Sequence, residues 1–160
     1  GMATMEIPHY KTGGSNFYQA RIVDKAAGKS EGETPVTRYQ IRTETADLLF
    51  SDHPDRIAFM KVDVEGAELD LLRGSSEILE KFMPSWLIEI SDNPDEEGST
   101  ACLLFRLLME RGYRVFWFDG ERLRERRTGD NTINYFFLSE EFIGRAEAGN
   151  LIAPSIGPAD

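Results

Sequence analysis

Asp63, Glu65 and Glu68 carry the chemistry most readily read from this chain, because of where the run Ile57–Leu72, IAFMKVDVEGAELDLL, delivers them. Ile57, Ala58, Phe59, Met60 and Val62 read as a strand covered on both faces, which needs no polar alternation. The acids follow where that strand empties into a turn, and in open α/β sheets ligands bind at the carboxyl ends of strands. A carboxylate there can serve as general base for a hydroxyl or as a ligand for a hard cation. For Asp63 an equally good reading is a cap on the following helix. Glu65 is expected to accept backbone N–H groups of the turn and helix start, where negative charge is favoured. Gly66 fits a backbone requirement of the turn. Glu68, one helical turn later, points either at the same cleft or at solvent.

Neighbouring residues extend or limit that site. Lys61 lies in an apolar strand and needs a partner, so a salt link to a nearby carboxylate is expected rather than catalysis. Glu89 and Asp92 end the next strand, and with Asp63 they could form an oxygen-rich Mg²⁺ or Ca²⁺ site; no metal site is the preferred reading. His9 and His53 have no ligand spacing and receive no role. Trp86, Trp117 and Tyr135–Phe137 are expected as core or sheet-face aromatics.

The elements that must position these residues follow from periodicity and punctuation. Residues 1–15 read as a flexible polar segment, with Gly1-Met2 resembling a tag scar before a start codon. Asn16–Val23 and Thr37–Thr43 alternate as two strands or a wide β-hairpin, flanking the turn-rich Asp24–Pro35. Thr45–Phe50 suits a short helix capped by Thr43 or Thr45, and Ser51–Arg56 is a loop. Gly66–Phe82 is helical with a break at Gly74, Pro84 stops it, and Trp86–Ile90 is a second buried strand. Ser99 or Thr100 caps a helix over Ala101–Arg111 that ends at Gly112. Arg114–Phe118 and Thr132–Leu138 are strands running antiparallel to each other, Glu140–Glu147 a short helix, and 148–160 a flexible tail. One α/β domain over 16–147 with a partly parallel sheet results.

Composition sets the bounds. The 160 residues are 41% hydrophobic and 11% aromatic, as expected for a globular chain with one core. A net charge of −10 argues against a nucleic-acid partner, which needs a basic footprint. Glu121–Arg127, ERLRERR, is the local exception, read as a solvated edge strand or loop with a phosphate or acidic-substrate contact as the minor alternative. The lone Cys102 excludes a disulfide within the chain. With no membrane-length apolar run and no signal pattern, a cytoplasmic location is expected.

Lys61–Glu68, KVDVEGAE, followed by Leu72-Arg73-Gly74 and by Pro84 before Leu87–Glu89, resembles the FkbM family of S-adenosylmethionine (SAM)-dependent methyltransferases. The resemblance spans Ala20–Ser139 in element order and is specific over Lys61–Glu89. It implies a Rossmann-like class I methyltransferase sheet whose parallel strands end in an antiparallel hairpin. It also implies SAM as cofactor, contacts to it from Asp63, Val64 and Gly66, and O-methylation of a small molecule or sugar using Asp63, Glu65 and Glu68. The chain departs from the family pattern in having no Gly-rich turn between a first strand and helix, and no acid ending a second strand. It therefore resembles the family's C-terminal half, with little SAM binding or activity expected alone. In that strand order the edge of Arg56–Val64 is bare, so a homodimer, or the N-terminal strands, is expected to cover it. The alternatives in other classes are a non-catalytic assembly module and a carboxylate metal-binding domain.

Overall fold

The computed structural model describes residues 1–23, 35–52, 56–130 and 132–154 and contains two sheets. Residues 24–34, within the expected turn-rich segment, and 53–55, within the expected loop, lie outside the described residues. The first sheet begins where the chain was expected to be flexible. β1 (Met2–Pro8) is its central strand, flanked by β2 (Arg21–Val23) and β3 (Val36–Arg42), both antiparallel to it. The expected hairpin is thus corrected to a three-stranded sheet, because β1 separates the two alternating segments. Its buried polar positions are satisfied across strands. The Gln40 amide donates to Thr4 Oγ1 at 2.8 Å, and Arg38 donates to the Glu6 carboxylate through Nε at 2.8 Å and Nη2 at 2.5 Å. Polar residues facing inward with partners in place cost little, whereas they hide the strand from a hydrophobic pattern.

The second sheet has the order β4-β5-β8-β6-β7. β4 (Phe59–Val62) pairs parallel with β5 (Ser85–Glu89), setting Val62 against Ile88. β8 (Asn134–Leu138) lies antiparallel between β5 and β6 (Arg114–Phe118), so β4, β5 and β6 all run one way. The expected antiparallel pairing of the last two strands is present. β7 (Leu123–Glu125) is the strand expected within Glu121–Arg127; it pairs antiparallel with β6, with Leu123 and Arg124 half-buried and Glu125 exposed.

Helices connect these strands. α1 (Ala46–Leu49) starts at Thr45, whose Oγ1 accepts from Leu48 N–H at 3.2 Å. α2 (Glu68–Arg73) and α3 (Ser76–Phe82) are separated at Gly74. α4 (Thr100–Met109) is capped by Ser99, whose Oγ accepts from Cys102 N–H at 2.9 Å. α5 (Glu140–Ala148) follows β8.

Side chains alternate across β8 and divide the core in two. Tyr135 and Phe137 join Val62, Trp86 and Ile88 beneath α2, α3 and α4. Phe136 and Leu138 face Phe116 and Ile143 of α5 instead. The expected tail is corrected in part. Leu123 N–H donates to Leu151 O and Ala153 N–H to Leu123 O, both at 2.8 Å, and this ties the chain to the β7 edge as far as Ala153. Residues 155–160 lie outside the described residues.

β4 lies at the sheet edge, as expected for Arg56–Val64. The expectation that it is covered on both faces is corrected: Phe59 is 48% exposed and Lys61 is exposed, while Val62 is buried. The N-terminal strands do not pair with it, since they form their own sheet. Among the described residues no helix is long and apolar enough to cross a membrane.

Candidate functional site

The β4 end turns into α2 through two consecutive left-handed residues, Glu65 (φ 42°) and Gly66 (φ 92°). A Cβ on Gly66 would meet nothing within 4 Å, so the backbone angle and not crowding calls for glycine. Glu65 has no such licence and holds a conformation that costs an L-residue on the order of 1–2 kcal/mol. Such strain persists where the surroundings impose it, often at sites of function.

The acids divide their tasks differently from expectation. Glu68 is 9% exposed and its carboxylate accepts Gly66 N–H at 2.8 Å. It therefore does the turn-bracing expected of Glu65. Among the described residues the exposed Glu65 side chain has no hydrogen-bond or ion-pair partner. Asp63 does not cap α2; it pairs with Lys61 Nζ at 3.0 Å, the salt link expected for Lys61. Asp92 uses one carboxylate oxygen to accept Asn93 N–H at 2.9 Å and the other to accept Ala101 N–H, in the first turn of α4, at 3.3 Å. Among the described residues no three His, Cys, Asp or Glu side chains come together to hold a metal, so Asp63, Glu89 and Asp92 do not form the weaker-read cation site.

Two concavities meet at Glu65. A cleft of about 250 Å³ runs between the Glu65–Glu68 turn, the β5 end at Ile90–Asp92 and the start of α4. Glu65, Glu68, Asp92, Ser91 and Thr100 make it acidic and hydroxyl-rich. On the other side, a groove of about 390 Å³ separates Asp63–Glu65 from the N-terminal sheet and the 3₁₀ turn Phe17–Gln19. Sequence reasoning missed this second wall, having read residues 1–15 as flexible and Asn16–Val23 with Thr37–Thr43 as two strands or a wide hairpin.

Two arginines of Glu121–Arg127 are drawn into local pairs. Arg124 pairs with Asp119; Arg126 pairs with Asp95 at 2.5 Å and lies 5.3 Å from the centre of the Phe105 ring. Glu125 is bound in two bonds of 2.8 Å by Arg114. The Arg122 and Glu121 N–H groups, followed by the Arg124 guanidinium, hold Asp119 down from 3.8 to about 2. A carboxyl depressed on folding stabilises above its unfolded pKa, and that contribution fades as pH falls through the folded one. Asp119→Asn should therefore flatten the melting temperature against pH between about 4 and about 2 relative to wild type. Parallel wild-type and variant melting curves across that window would contradict this.

A mixed α/β domain with an acidic strand end and a left-handed turn into a helix is the arrangement present. The family model described as the methyltransferase FkbM domain matches residues 3–115. The chain belongs to the FkbM methyltransferase family. No curated protein and no solved structure matches it. The matched span begins at residue 3, earlier than the sequence resemblance, and so takes in the N-terminal sheet.

Proposed function

We propose that this chain forms the acceptor side of a SAM-dependent O-methyltransferase, centred on Glu65, acting on a hydroxyl of a small molecule. The carrying observation is that Glu65, without a partner among the described residues, lines both the acidic cleft and the groove opposite. Membership of the family implies SAM as methyl donor. When bound, SAM supplies an electrophilic methyl carried on a sulfonium. The cleft suits the cationic, amino-bearing end of that molecule, since Glu65, Glu68 and Asp92 line it with Ser91 and Thr100 hydroxyls. At about 250 Å³ it falls below the 300–1,000 Å³ range common for ligand pockets, so it accommodates part of a nucleoside-sized cofactor.

The chain's own residues then have separable tasks. Glu68 fixes the turn through Gly66 N–H, and Asp63 holds Lys61. Glu65 accepts the hydroxyl proton of the acceptor as its oxygen becomes nucleophilic, which requires lone pairs not already engaged. Val64 and Gly66 supply the backbone between the two concavities. The cleft's small size supports weak SAM binding by this chain alone. Calorimetric titration with SAM should show no saturation at micromolar concentrations, and saturable micromolar binding would contradict that part of the reading.

A second reading, an assembly module, is favoured by the β4 edge. β4 pairs on one side only among the described residues, beside the half-exposed Phe59. Unpaired backbone groups on an edge strand favour pairing with another chain. A second copy aligned along this edge is expected to give a dimer mass in light scattering and slow amide exchange across Ala58–Val62. A monomer with rapid exchange there would exclude it.

A further inference from the structure

We propose, resting on the methyltransferase reading above, that Arg126 is a positioning residue for the cleft. Through Asp95 it sets the loop Ser91–Asp95, and so the Ser91 and Asp92 side chains, in the wall that faces the methyl donor.

The loop needs such an anchor because packing holds little of it. Ser91 and Asp92 line the cleft on one side. On the other they border a second concavity of about 470 Å³, walled opposite by Gly129, Thr132, Ile133 and Tyr135. Both residues are exposed, whereas Ile90 before them is buried. Short bonds brace the loop internally: Asp92 accepts Asn93 N–H at 2.9 Å, and Asn93 Oδ1 accepts Asp95 N–H at 3.0 Å. A displacement of Asp95 is therefore passed to Asp92.

Asp95 is where the loop meets the far side of the sheet. Arg126, next after β7, reaches it with Nη2 2.5 Å from Oδ2, and Gly129 N–H donates to the same oxygen at 2.8 Å. The guanidinium and then the Gly129 N–H hold the Asp95 carboxyl below the usual carboxylate range, so the pair is charged. Arg126 is itself fixed. Its side chain is only 10% exposed, its guanidinium lies 5.3 Å from the centre of the Phe105 ring in α4, and its backbone N–H donates to Val115 O at 2.8 Å. A buried ion pair often adds nothing to stability over apolar groups of similar volume. What this one supplies is a set distance between the loop and β7, held across an open concavity.

The test is an amide-shift titration of the full chain with S-adenosylhomocysteine, comparing wild type with Arg126→Met, Asp95→Asn and the double variant. Arg126→Met keeps an apolar stem against Phe105, and Asp95→Asn keeps an acceptor for Gly129 N–H. Below saturation, the slope of the Gly66 shift against ligand concentration follows affinity. That slope should fall about tenfold in each single variant, within the about 10²-fold that a misplacement of about 1 Å can cost. The double variant should fall no further, as expected of two groups acting through one contact. Amide exchange at Ser91 and Asp92 should quicken in the free variants, while unchanged Val62 and Ile88 signals show that they are folded. Asp95→Asn, at the more exposed end of the pair, carries the same comparison should Arg126→Met not fold. Folded single variants with the wild-type slope, or losses that add in the double variant, would overturn the positioning role and leave the donor cleft in place. A wild-type chain without shifts at Gly66, Ser91 and Asp92 would remove the methyltransferase reading, and the positioning role with it.

Discussion

Glu65→Gln is expected to lower methyl transfer by about 10²–10⁴-fold, the usual contribution of a positioned general base, when SAM is supplied at concentrations high enough to load a weak site. The loss should fall on kcat and leave the melting temperature nearly unchanged, because the Glu65 side chain has no partner among the described residues. Glu65→Gly separates chemistry from architecture. At φ 42° glycine relieves the left-handed strain, and after its larger loss of backbone entropy the net gain is on the order of 0.5–1 kcal/mol. A more stable but inactive Glu65→Gly would mark the position as one where strain is retained for function. Undiminished turnover in Glu65→Gln would move the base elsewhere, with Asp63 next in line.

Trp86→Ala should destabilise the fold by about 3–5 kcal/mol in urea denaturation, as expected for deletion of a large buried aromatic. Trp86 is fully buried in β5, and its Nε1–H donates to Tyr113 Oη at 3.3 Å. Truncation opens a cavity between the sheet and its helices and strands that hydroxyl. Against a typical total of about 5–15 kcal/mol, such a loss approaches global unfolding. β5 also carries Ser91 and Asp92 to the cleft, so the same change should loosen the site. Trp86→Phe keeps most of the volume and should cost far less. A loss below about 1 kcal/mol in Trp86→Ala would show that the core is not organised around β5.

What the sequence makes legible is the part built from apolar runs and clear stops. Trp86–Ile90 after Pro84, the break at Gly74, the caps at Thr45 and Ser99, and the close of α4 before Gly112 all rest on local chemistry, and each is present. β1 is illegible for a physical reason: Thr4 and Glu6 are buried polar residues whose partners, Gln40 and Arg38, lie more than 30 residues on. The β7 edge pairing by Leu151–Ala153 is equally non-local. So is Asp47, whose carboxylate accepts Glu77 and Ile78 N–H at 3.1 and 3.0 Å and thereby caps α3 from another helix.

The candidate site shows the same division. Its position at a strand end, its three acids and its glycine follow from the run KVDVEGAE. The assignment of tasks does not, because it depends on backbone angles. With Glu65 and Gly66 both left-handed, Glu68 reaches back to the turn and Glu65 is left without a partner among the described residues. The second wall was hidden along with β1, since the groove needs the N-terminal sheet in place.

The central claim is that the acidic end of β4 meets the sulfur-bearing end of the methyl donor and grips it weakly. Titration of the isotope-labelled chain with S-adenosylhomocysteine, followed by amide shifts, tests this most directly. Expected are fast-exchange shifts confined to Asp63–Glu68, Ser91, Asp92 and the first turn of α4, without saturation at micromolar ligand. Shifts that bypass those residues, or slow-exchange micromolar binding, would contradict it.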